Sequence, residues 1–316
     1  MSLHPGNPLA PFLEQGAIVL DGGLATSLEA RGRDLHDPLW SARLLIKAPE
    51  AIAEVHRDFL IAGADCIASA SYQASMPGFA ARGIDASGAG ALLALSVRLA
   101  TETRDAFWSA SANRAGRLRP LVAASVGPYG AFLADGSEYT GDYAIGAAAL
   151  REFHEARWRI LAASGADLLA CETIPSAEEA AVLLELVAEV PDIWAWVSFS
   201  CRDGLHLSDG SRLSDAARAC DAAPRVAAVG INCTAPEHIG SLIAEARSAT
   251  GKPVLVYPNS GERYDATAKR WLGSPSAVDL PEHAHGWVRD GASGVGGCCR
   301  VGPRVIAGIR QRLEAS

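Results

Sequence analysis

The chain has little basic charge and no long run of apolar residues. Its 28 lysines and arginines are outnumbered by 36 aspartates and glutamates, which gives a formal net charge of −8. Because nucleic-acid-binding proteins usually present a basic face, this balance argues against that class. No stretch of about 18 uninterrupted apolar residues occurs, so we expect no membrane span. The first residues lack a basic segment followed by an apolar run, so we expect no signal peptide and a cytoplasmic protein.

Cysteine is also sparse. The chain has seven cysteines in 316 residues, and no two of them are spaced as Cys-x-x-Cys. Without a secretion signal, free thiols and metal ligands are favoured over a disulfide framework. Structural zinc sites usually have four protein ligands, often with Cys-x-x-Cys spacing, so that kind of site is not favoured either.

What the sequence does have is a regular alternation of strand-like and helix-like segments. Hydrophobic residues make up 49 % of the chain, enough for a large core. Strands are predicted at 17–21, 66–72, 121–126, 168–173, 193–200, 226–233, 253–257 and 294–299. Helices are predicted at 49–64, 88–109, 144–164, 177–189, 213–221, 236–250, 276–290 and 303–313, and a long loop at 129–142.

This alternation predicts a (β/α)8 TIM barrel that forms one domain over residues 1–316. Strands that are apolar throughout are typical of a parallel sheet buried on both faces. Eight β/α units in a chain of this length match the barrel, and an open doubly wound sheet is the alternative. The loop at 129–142 is long enough to be a binding loop or a lid.

Unusual polar residues follow the predicted strands at their carboxyl ends, where TIM barrels place their chemistry. They are Asp21, Tyr72, Glu172, Cys233, Asn259, Cys298 and Cys299. The ends of the sixth and eighth strands lie near each other in a closed barrel, so Cys233 can meet Cys298 and Cys299. Adjacent residues on a strand point to opposite faces, and the glycines before Cys298 permit the turn that would bring both thiols together.

We therefore expect Cys233, Cys298 and Cys299 to bind one zinc ion. Three thiolates and one open position are typical of a catalytic zinc site, and the open position suits a thiol substrate. The alternative is that these residues are core cysteines or a vicinal redox pair. The other four, Cys66, Cys171, Cys201 and Cys220, are expected to be buried hydrophobes.

Simpler roles are open for the remaining candidates. Asp21 precedes two glycines and could cap a turn. Glu172 could pair with an arginine for structural reasons, and Tyr72 and Tyr129 could be packing residues. His283 and His285 alternate in a predicted helix or loop, and we expect both at the surface.

Eight motifs spread over the chain resemble the zinc-dependent homocysteine S-methyltransferase family. They are LDGGLATSLE at 20–29, ASYQA at 70–74, SVGPYGAFLADGSEY at 125–139, CETIP at 171–175, LSDG at 207–210, GINC at 230–233, YPNSGE at 257–262 and GGCC at 296–299. The resemblance extends over residues 17–312, and together the motifs are highly specific. The resemblance implies a TIM barrel, in agreement with the strand count.

The resemblance also implies a set of site residues. Cys233, Cys298 and Cys299 match the zinc ligands, and the sulfur of homocysteine would take the fourth position. Asp21 and Glu172 match the carboxylates that hold the amino group of homocysteine. The backbone amides of Leu24 and Ala25 match those that bind its carboxylate, and Asn232 is expected to contact the substrate. The substrate thiolate would attack the methyl group directly, so no separate general base is predicted.

The methyl donor is less closely specified by the resemblance. The segment at 127–142 is similar to that of the branch that uses S-methylmethionine, and S-adenosylmethionine is the other sulfonium candidate. Tyr72 or Tyr129 would face the cationic donor through a cation–π contact. The length excludes a multidomain methionine synthase, and the C-terminal extension of betaine-using relatives is missing, so we expect a monomer or weak dimer. The alternatives are a selenocysteine acceptor, a betaine donor, or a non-enzymatic zinc or redox thiol protein.

Overall fold

Eight parallel strands form one sheet in the computed structural model, which describes residues 6–35, 37, 39–190, 192–265, 270–273, 275–276 and 279–315. In chain order the strands are β1 (Ile18–Val19), β2 (Cys66–Ala68), β3 (Leu121–Val126), β4 (Leu168–Ile174), β5 (Ala195–Phe199), β6 (Val226–Asn232), β7 (Val254–Tyr257) and β8 (Gly294–Val295). Their order in the sheet is β1-β8-β7-β6-β5-β4-β3-β2, so every strand lies beside its neighbours in sequence.

The sheet closes between β1 and β2. Leu20 and Cys66 form a parallel bridge, and the backbone N–H of Asp21 donates to the carbonyl of Cys66 at 3.0 Å. An open doubly wound sheet would instead reverse its strand order at a switch point and keep two free edges. The predicted (β/α)8 TIM barrel is therefore confirmed.

Helices follow most strands and cover the outside of the sheet. The α-helices are Ala10–Gln15, Leu24–Glu29, Leu44–Lys47, Pro49–Ile61, Met76–Ala80, Ala86–Ser109, Tyr129–Leu133, Ala147–Ala162, Ala177–Glu189, Leu213–Ala222, Ile239–Arg247, Leu280–Arg289 and Pro303–Glu314. Short 3-10 turns lie at Trp40–Arg43, Ser111–Arg114, Ser137–Tyr139 and Pro236–His238. Among the described residues, no helix has the length and apolar character needed to cross a membrane.

Several predicted segments have other bounds in the structure. The second strand is predicted to reach Tyr72 but ends at Ala68. The eighth strand was predicted to reach Cys299 but ends at Val295, because the chain turns at the following glycines. The predicted loop at 129–142 contains the helix Tyr129–Leu133 and the turn Ser137–Tyr139. The helix predicted at 276–290 covers Leu280–Arg289, and residues 277 and 278 lie outside the described residues. An unpredicted antiparallel pair, Arg263–Asp265 with Arg270–Leu272, follows β7.

The core has two parts, one between sheet and helices and one inside the barrel. Alternation along β1 separates them: Val19 packs in the outer part, while Ile18 belongs to the inner one. Leu9 and Phe12, at the N-terminal helix, also pack in the inner part. Four cysteines are buried in these cores, as predicted, and burial raises the pKa of each thiol; they are Cys66, Cys171, Cys201 and Cys220. His283 and His285 are exposed, also as predicted.

Candidate metal and substrate site

A cavity of about 510 Å³ opens at the carboxyl ends of the strands. Of the candidate residues, it is lined by Asp21, Leu24, Ala25, Tyr72, Glu172, Cys233, Cys298 and Cys299. The structure thus brings together residues that the sequence separates by up to 278 positions, from Asp21 to Cys299. Asn232 and Tyr129 are the two candidates that do not line this cavity.

The three predicted metal ligands form one sulfur cluster. The Sγ atoms of Cys233, Cys298 and Cys299 all lie within 4.8 Å of one another, and the Cys233 and Cys299 sulfurs are 3.4 Å apart. Sulfur donors favour soft or borderline metal ions such as zinc. A set of three leaves one position of a tetrahedral ion for another ligand. The donor set therefore fits a catalytic zinc ion.

The turn after β8 explains how two adjacent cysteines reach one centre. The backbone N–H of Gly297 donates to the carbonyl of Asp21 at 3.0 Å, and that of Cys298 to Pro258 at 2.8 Å. A side chain at Gly296 would lie 2.6 Å from Cβ of Leu20, closer than real Cβ atoms come, and one at Gly297 would meet Val301. Only glycine permits this close approach, so the turn depends on both residues.

Cys233 turns into the cavity by a different route. It follows β6 directly and has a φ of +48°, a left-handed conformation that is uncommon outside glycine. Backbone bonds hold it there: its N–H donates to the carbonyl of Tyr257 at 3.2 Å, and its own carbonyl accepts from Nδ2 of Asn259 at 3.2 Å. Asn259, predicted only to follow the seventh strand, thus fixes the backbone of a predicted metal ligand.

The thiols influence one another's ionisation. Hydrogen bonds from Cys298 and Cys299 lower the pKa of Cys233, while the interaction with Cys233 raises the pKa of both partners. Cys233 is therefore the thiol of the three that loses its proton most readily. Binding a metal ion that requires thiolates would release the protons that the three thiols still hold.

Asp21 and Glu172 form a second group, made of carboxylates. Oδ2 of Asp21 accepts the backbone N–H of Ala68 at 2.8 Å, and the hydroxyl of Ser125 donates to Oε1 of Glu172. Burial raises the pKa of Glu172 to about 7. Burial, and to a smaller degree the Glu172 charge, also raises the pKa of Asp21. A cation placed between these carboxylates would stabilise both in their ionised form.

The cavity as a whole is acidic. The carboxylates that line it belong to Asp21, Glu29, Asp37, Glu138 and Glu172, and among its described lining residues there is no lysine, arginine or histidine. Asp37 also pairs with Arg82. Burial raises the pKa of the Asp37 carboxyl, but the hydrogen bond from Arg82 and the other favourable contacts outweigh it, so this pKa is lowered overall. The electrostatics therefore favour cationic groups.

Leu24 and Ala25 lie in the first turn of the helix Leu24–Glu29, at the cavity wall. The first N–H groups of a helix have no acceptor within it, and here the N-cap Gly23 provides no side-chain bond. These amides can therefore donate hydrogen bonds to an anionic group.

The two candidate tyrosines lie in different places. Tyr72 is half-buried and lines the cavity. Tyr129 instead packs in an aromatic cluster, with ring centroids 5.0 Å from Phe153, 5.5 Å from Tyr143 and 5.6 Å from Phe132. The residue that reaches the sulfurs from this segment is Tyr139, whose hydroxyl lies 3.4 Å from Sγ of Cys233. Tyr139 had no predicted role, although it ends the motif at 125–139.

Asn232 lies behind the cavity wall. Its side chain is fully buried and is bonded to Thr173, Ser198 and Cys298. The structure therefore does not bring Asn232 to the substrate cavity, and its contacts are with residues that form the wall.

Comparisons with known proteins identify the family. The family model for homocysteine S-methyltransferase matches residues 18–313. The chain is 50 % identical to homocysteine S-methyltransferase YbgG of Bacillus subtilis, over 96 % of each chain. It is 46 % identical to selenocysteine Se-methyltransferase of Brassica oleracea var. italica, over 94 % of this chain and 89 % of that one. The metallated crystal form of the homocysteine methyltransferase MmuM from Escherichia coli superposes with a TM-score of 0.86, at 44 % identity, covering 96 % of this chain and 99 % of that one.

Proposed function

The chain belongs to the homocysteine S-methyltransferase family, and from this premise we propose that it methylates the sulfur of homocysteine to give methionine, with Zn²⁺ held by Cys233, Cys298 and Cys299. The observation that carries the proposal is the convergence of three sulfurs within 4.8 Å with the half-buried carboxylates of Asp21 and Glu172 in one cavity. When bound, zinc would lower the pKa of the substrate thiol and so provide a thiolate at neutral pH.

The amino-acid part of homocysteine would be held by groups on both sides of the cluster. Asp21 and Glu172 would bind the ammonium group, because two carboxylates whose pKa values are raised by burial favour a cation beside them. The N–H groups of Leu24 and Ala25 would bind the carboxylate, which needs no basic side chain. Homocysteine would thus be fixed at its charged end while its sulfur points to the three cysteines.

The methyl donor is proposed to be a sulfonium cation, either S-methylmethionine or S-adenosylmethionine. The excess of carboxylates around the cavity supports a cationic donor over an anionic one. Tyr72, which lines the cavity, is the proposed cation–π contact with the donor. Tyr129 is not proposed for this role, because its ring packs against Phe153 outside the cavity lining. The segment at 127–142 resembles that of the S-methylmethionine branch and supports that donor first.

The reaction is a direct substitution at the methyl carbon. The homocysteine sulfur forms the new S–CH3 bond while the donor's S–CH3 bond breaks, and the electron pair stays on the donor sulfur. The donor leaves as a neutral thioether, so no proton moves in this step and no separate general base is needed. Catalysis by the chain's own residues then consists of positioning and of removing charged reactants from water.

Selenocysteine is the second candidate acceptor. A relative at 46 % identity bears the name selenocysteine Se-methyltransferase, and the charged end of that amino acid would meet the same groups. Turnover of the two acceptors at equal concentrations, with one donor, separates the alternatives. The monomer or weak dimer and the cytoplasmic location stay predictions.

The decisive experiment measures the zinc content of the purified, reduced protein together with methionine formation from homocysteine. S-methylmethionine and S-adenosylmethionine are supplied in parallel reactions. We expect one zinc ion per chain and turnover with at least one sulfonium, as a site of three ligands predicts. A Cys298→Ser variant is the matched control and should lose both zinc and activity. Full turnover without metal would contradict the proposal.

A further inference from the structure

Two parts of the proposed site are joined by a residue that touches neither substrate nor cavity. Asn232, the last residue of β6, is 0 % exposed and all four hydrogen-bonding positions of its amide are used. Its Oδ1 accepts the backbone N–H of Thr173 and the hydroxyl of Ser198, each at 2.8 Å. Its Nδ2 donates to Oγ1 of Thr173 at 2.8 Å and faces Sγ of Cys298 at 3.7 Å.

The orientation of this amide is fixed by its partners. The backbone N–H of Thr173 can only donate, so it must face the amide oxygen. The amide nitrogen then points at the hydroxyl of Thr173 on one side and at the sulfur of Cys298 on the other. The sulfur of Cys298 accepts this N–H, and it would accept it as a metal-bound thiolate too.

The bonds to Thr173 hold a strained piece of backbone. Thr173 has a φ of +62°, a conformation that β-branched residues rarely adopt. The pairing of β4 with β5 shifts register between Cys171 and Ile174, at this position. Such irregularities bend a strand and redirect its side chains. Glu172, the residue before Thr173, is the carboxylate that lies in the cavity.

We infer that Asn232 is a positioning residue that fixes both the carboxylate Glu172, through Thr173, and the metal ligand Cys298. The inference deepens the proposed function and rests on it, because it concerns the amino-acid and metal parts of that same site. It also replaces the predicted contact between Asn232 and substrate with two contacts to the residues that form the site. Groups that orient metal ligands usually affect metal affinity about 10- to 100-fold.

Two substitutions separate the two contacts. Asn232→Asp keeps the bonds that Oδ1 accepts from Thr173 and Ser198, and the hydroxyl of Thr173 can turn to donate to the new carboxylate. The variant loses the N–H that faces Cys298 and places a negative charge beside that sulfur. We expect its zinc affinity to fall at least tenfold. The affinity of the metal-free variant for L-methionine should stay within about threefold of that of the metal-free parent. Thr173→Val removes the hydroxyl only. We expect it to weaken L-methionine binding about tenfold and to leave zinc affinity within twofold.

Zinc affinity is measured by competition with a chelator, and L-methionine binding to the metal-free protein by calorimetry. Ser198→Ala is the matched control, because it removes one bond to Asn232 and keeps both contacts; each affinity should stay within about twofold of the parent. Circular dichroism verifies that every variant is folded. The inference is overturned if Asn232→Asp binds zinc as tightly as the parent, or if both variants weaken the two affinities equally, as a purely structural role would. Neither binding measurement depends on turnover, so a failure of the proposed function is seen separately in the unmodified protein.

Discussion

Glu172 is the side chain whose ionisation has the most direct consequence for substrate binding. Its pKa of about 7, raised mainly by burial, places the loss of its charge close to neutrality. In the free protein this shift favours the neutral acid. Its contribution to the stability of the fold is therefore fully present below pH 4.5 and is lost as the pH rises through about 7. An ammonium group in the cavity would reverse that preference. Substrate binding and the ionisation of Glu172 are therefore coupled.

We predict that the KM for homocysteine rises as the pH falls through about 7, because protonated Glu172 no longer attracts the ammonium group. Glu172→Gln should raise this KM about 10- to 100-fold at pH 8, as expected for a lost charge-assisted hydrogen bond, and should flatten its dependence on pH. Steady-state kinetics from pH 6 to 8 at saturating zinc test both effects. The KM of the donor serves as the internal control, and an unchanged homocysteine KM would remove the role of Glu172.

At the level of single residues, the sequence predicts some members of the site and not others. The sulfur cluster is predictable, because thiols after glycine-rich strand ends have few other roles. Tyr139 is not, because its contact with Cys233 depends on how a segment of irregular backbone folds over the cavity. Asn232 lies next to a metal ligand in sequence, and only the three-dimensional structure shows that its amide faces away from the cavity.

The element with the clearest functional consequence is the segment of residues 129–143. It covers one side of the cavity with Leu133, Ala134, Glu138 and Tyr139. Both of its ends are fastened to Glu179, a fully buried residue of the helix Ala177–Glu189. Oε1 of Glu179 accepts the backbone N–H of Tyr129 at 2.6 Å, and Oε2 accepts the hydroxyl of Tyr143 at 2.9 Å.

His154 completes this anchor beneath the segment. Its Nε2 lies 2.7 Å from Oε1 of Glu179, and NH2 of Arg157 lies 2.8 Å from its Nδ1. Burial lowers the pKa of His154 to about 4, so the ring is neutral and its one proton is on Nε2, facing the carboxylate. His154 therefore does not change the charge of this anchor near neutral pH.

We predict that Glu179→Gln loosens this segment, because an amide cannot accept all the bonds that the carboxylate accepts. Hydrogen exchange of the amides in residues 129–143 should become at least tenfold faster, while exchange in β6 stays unchanged. Tyr143→Phe removes one bond only and should give a smaller increase. Equal exchange in the parent and both variants would show that the segment is held by its aromatic packing instead.

The strands show why element boundaries are harder to predict than elements. All eight strands lie where apolar runs predict them, because a barrel strand is buried on both faces. The sequence predicts the end of β8 too late in the chain, because the glycines at 296 and 297 continue the strand-like run. They are instead required where the chain passes Leu20 and Val301, a close approach that no local pattern shows.

For the whole molecule, the decisive feature is the closure of the barrel between β1 and β2. Local patterns predict eight strands but not whether the first meets the second. The carboxylate of Asp65, just before β2, supports this seam: its Oδ2 accepts the backbone N–H of Val19 at 2.9 Å. The same carboxylate pairs with Arg310 of the last helix at 2.5 Å, and Arg310 also donates to the carbonyl of Gly63. The C-terminal helix is thereby tied to the seam.

We predict that Asp65→Asn destabilises the whole barrel by about 3 kcal/mol, because the partly buried Arg310 loses its buried charge partner and keeps only the exposed Glu314, 3.8 Å away. Urea unfolding followed by circular dichroism measures this change. Asp215→Asn is the matched control, since its pair with Arg218 is exposed and should contribute less than about 0.5 kcal/mol. One cooperative transition in all three proteins is expected if residues 1–316 form a single domain, because loss of the seam then affects every strand. A separate early transition in Asp65→Asn would instead show that the closure of the barrel is not required for the rest of the sheet to remain folded.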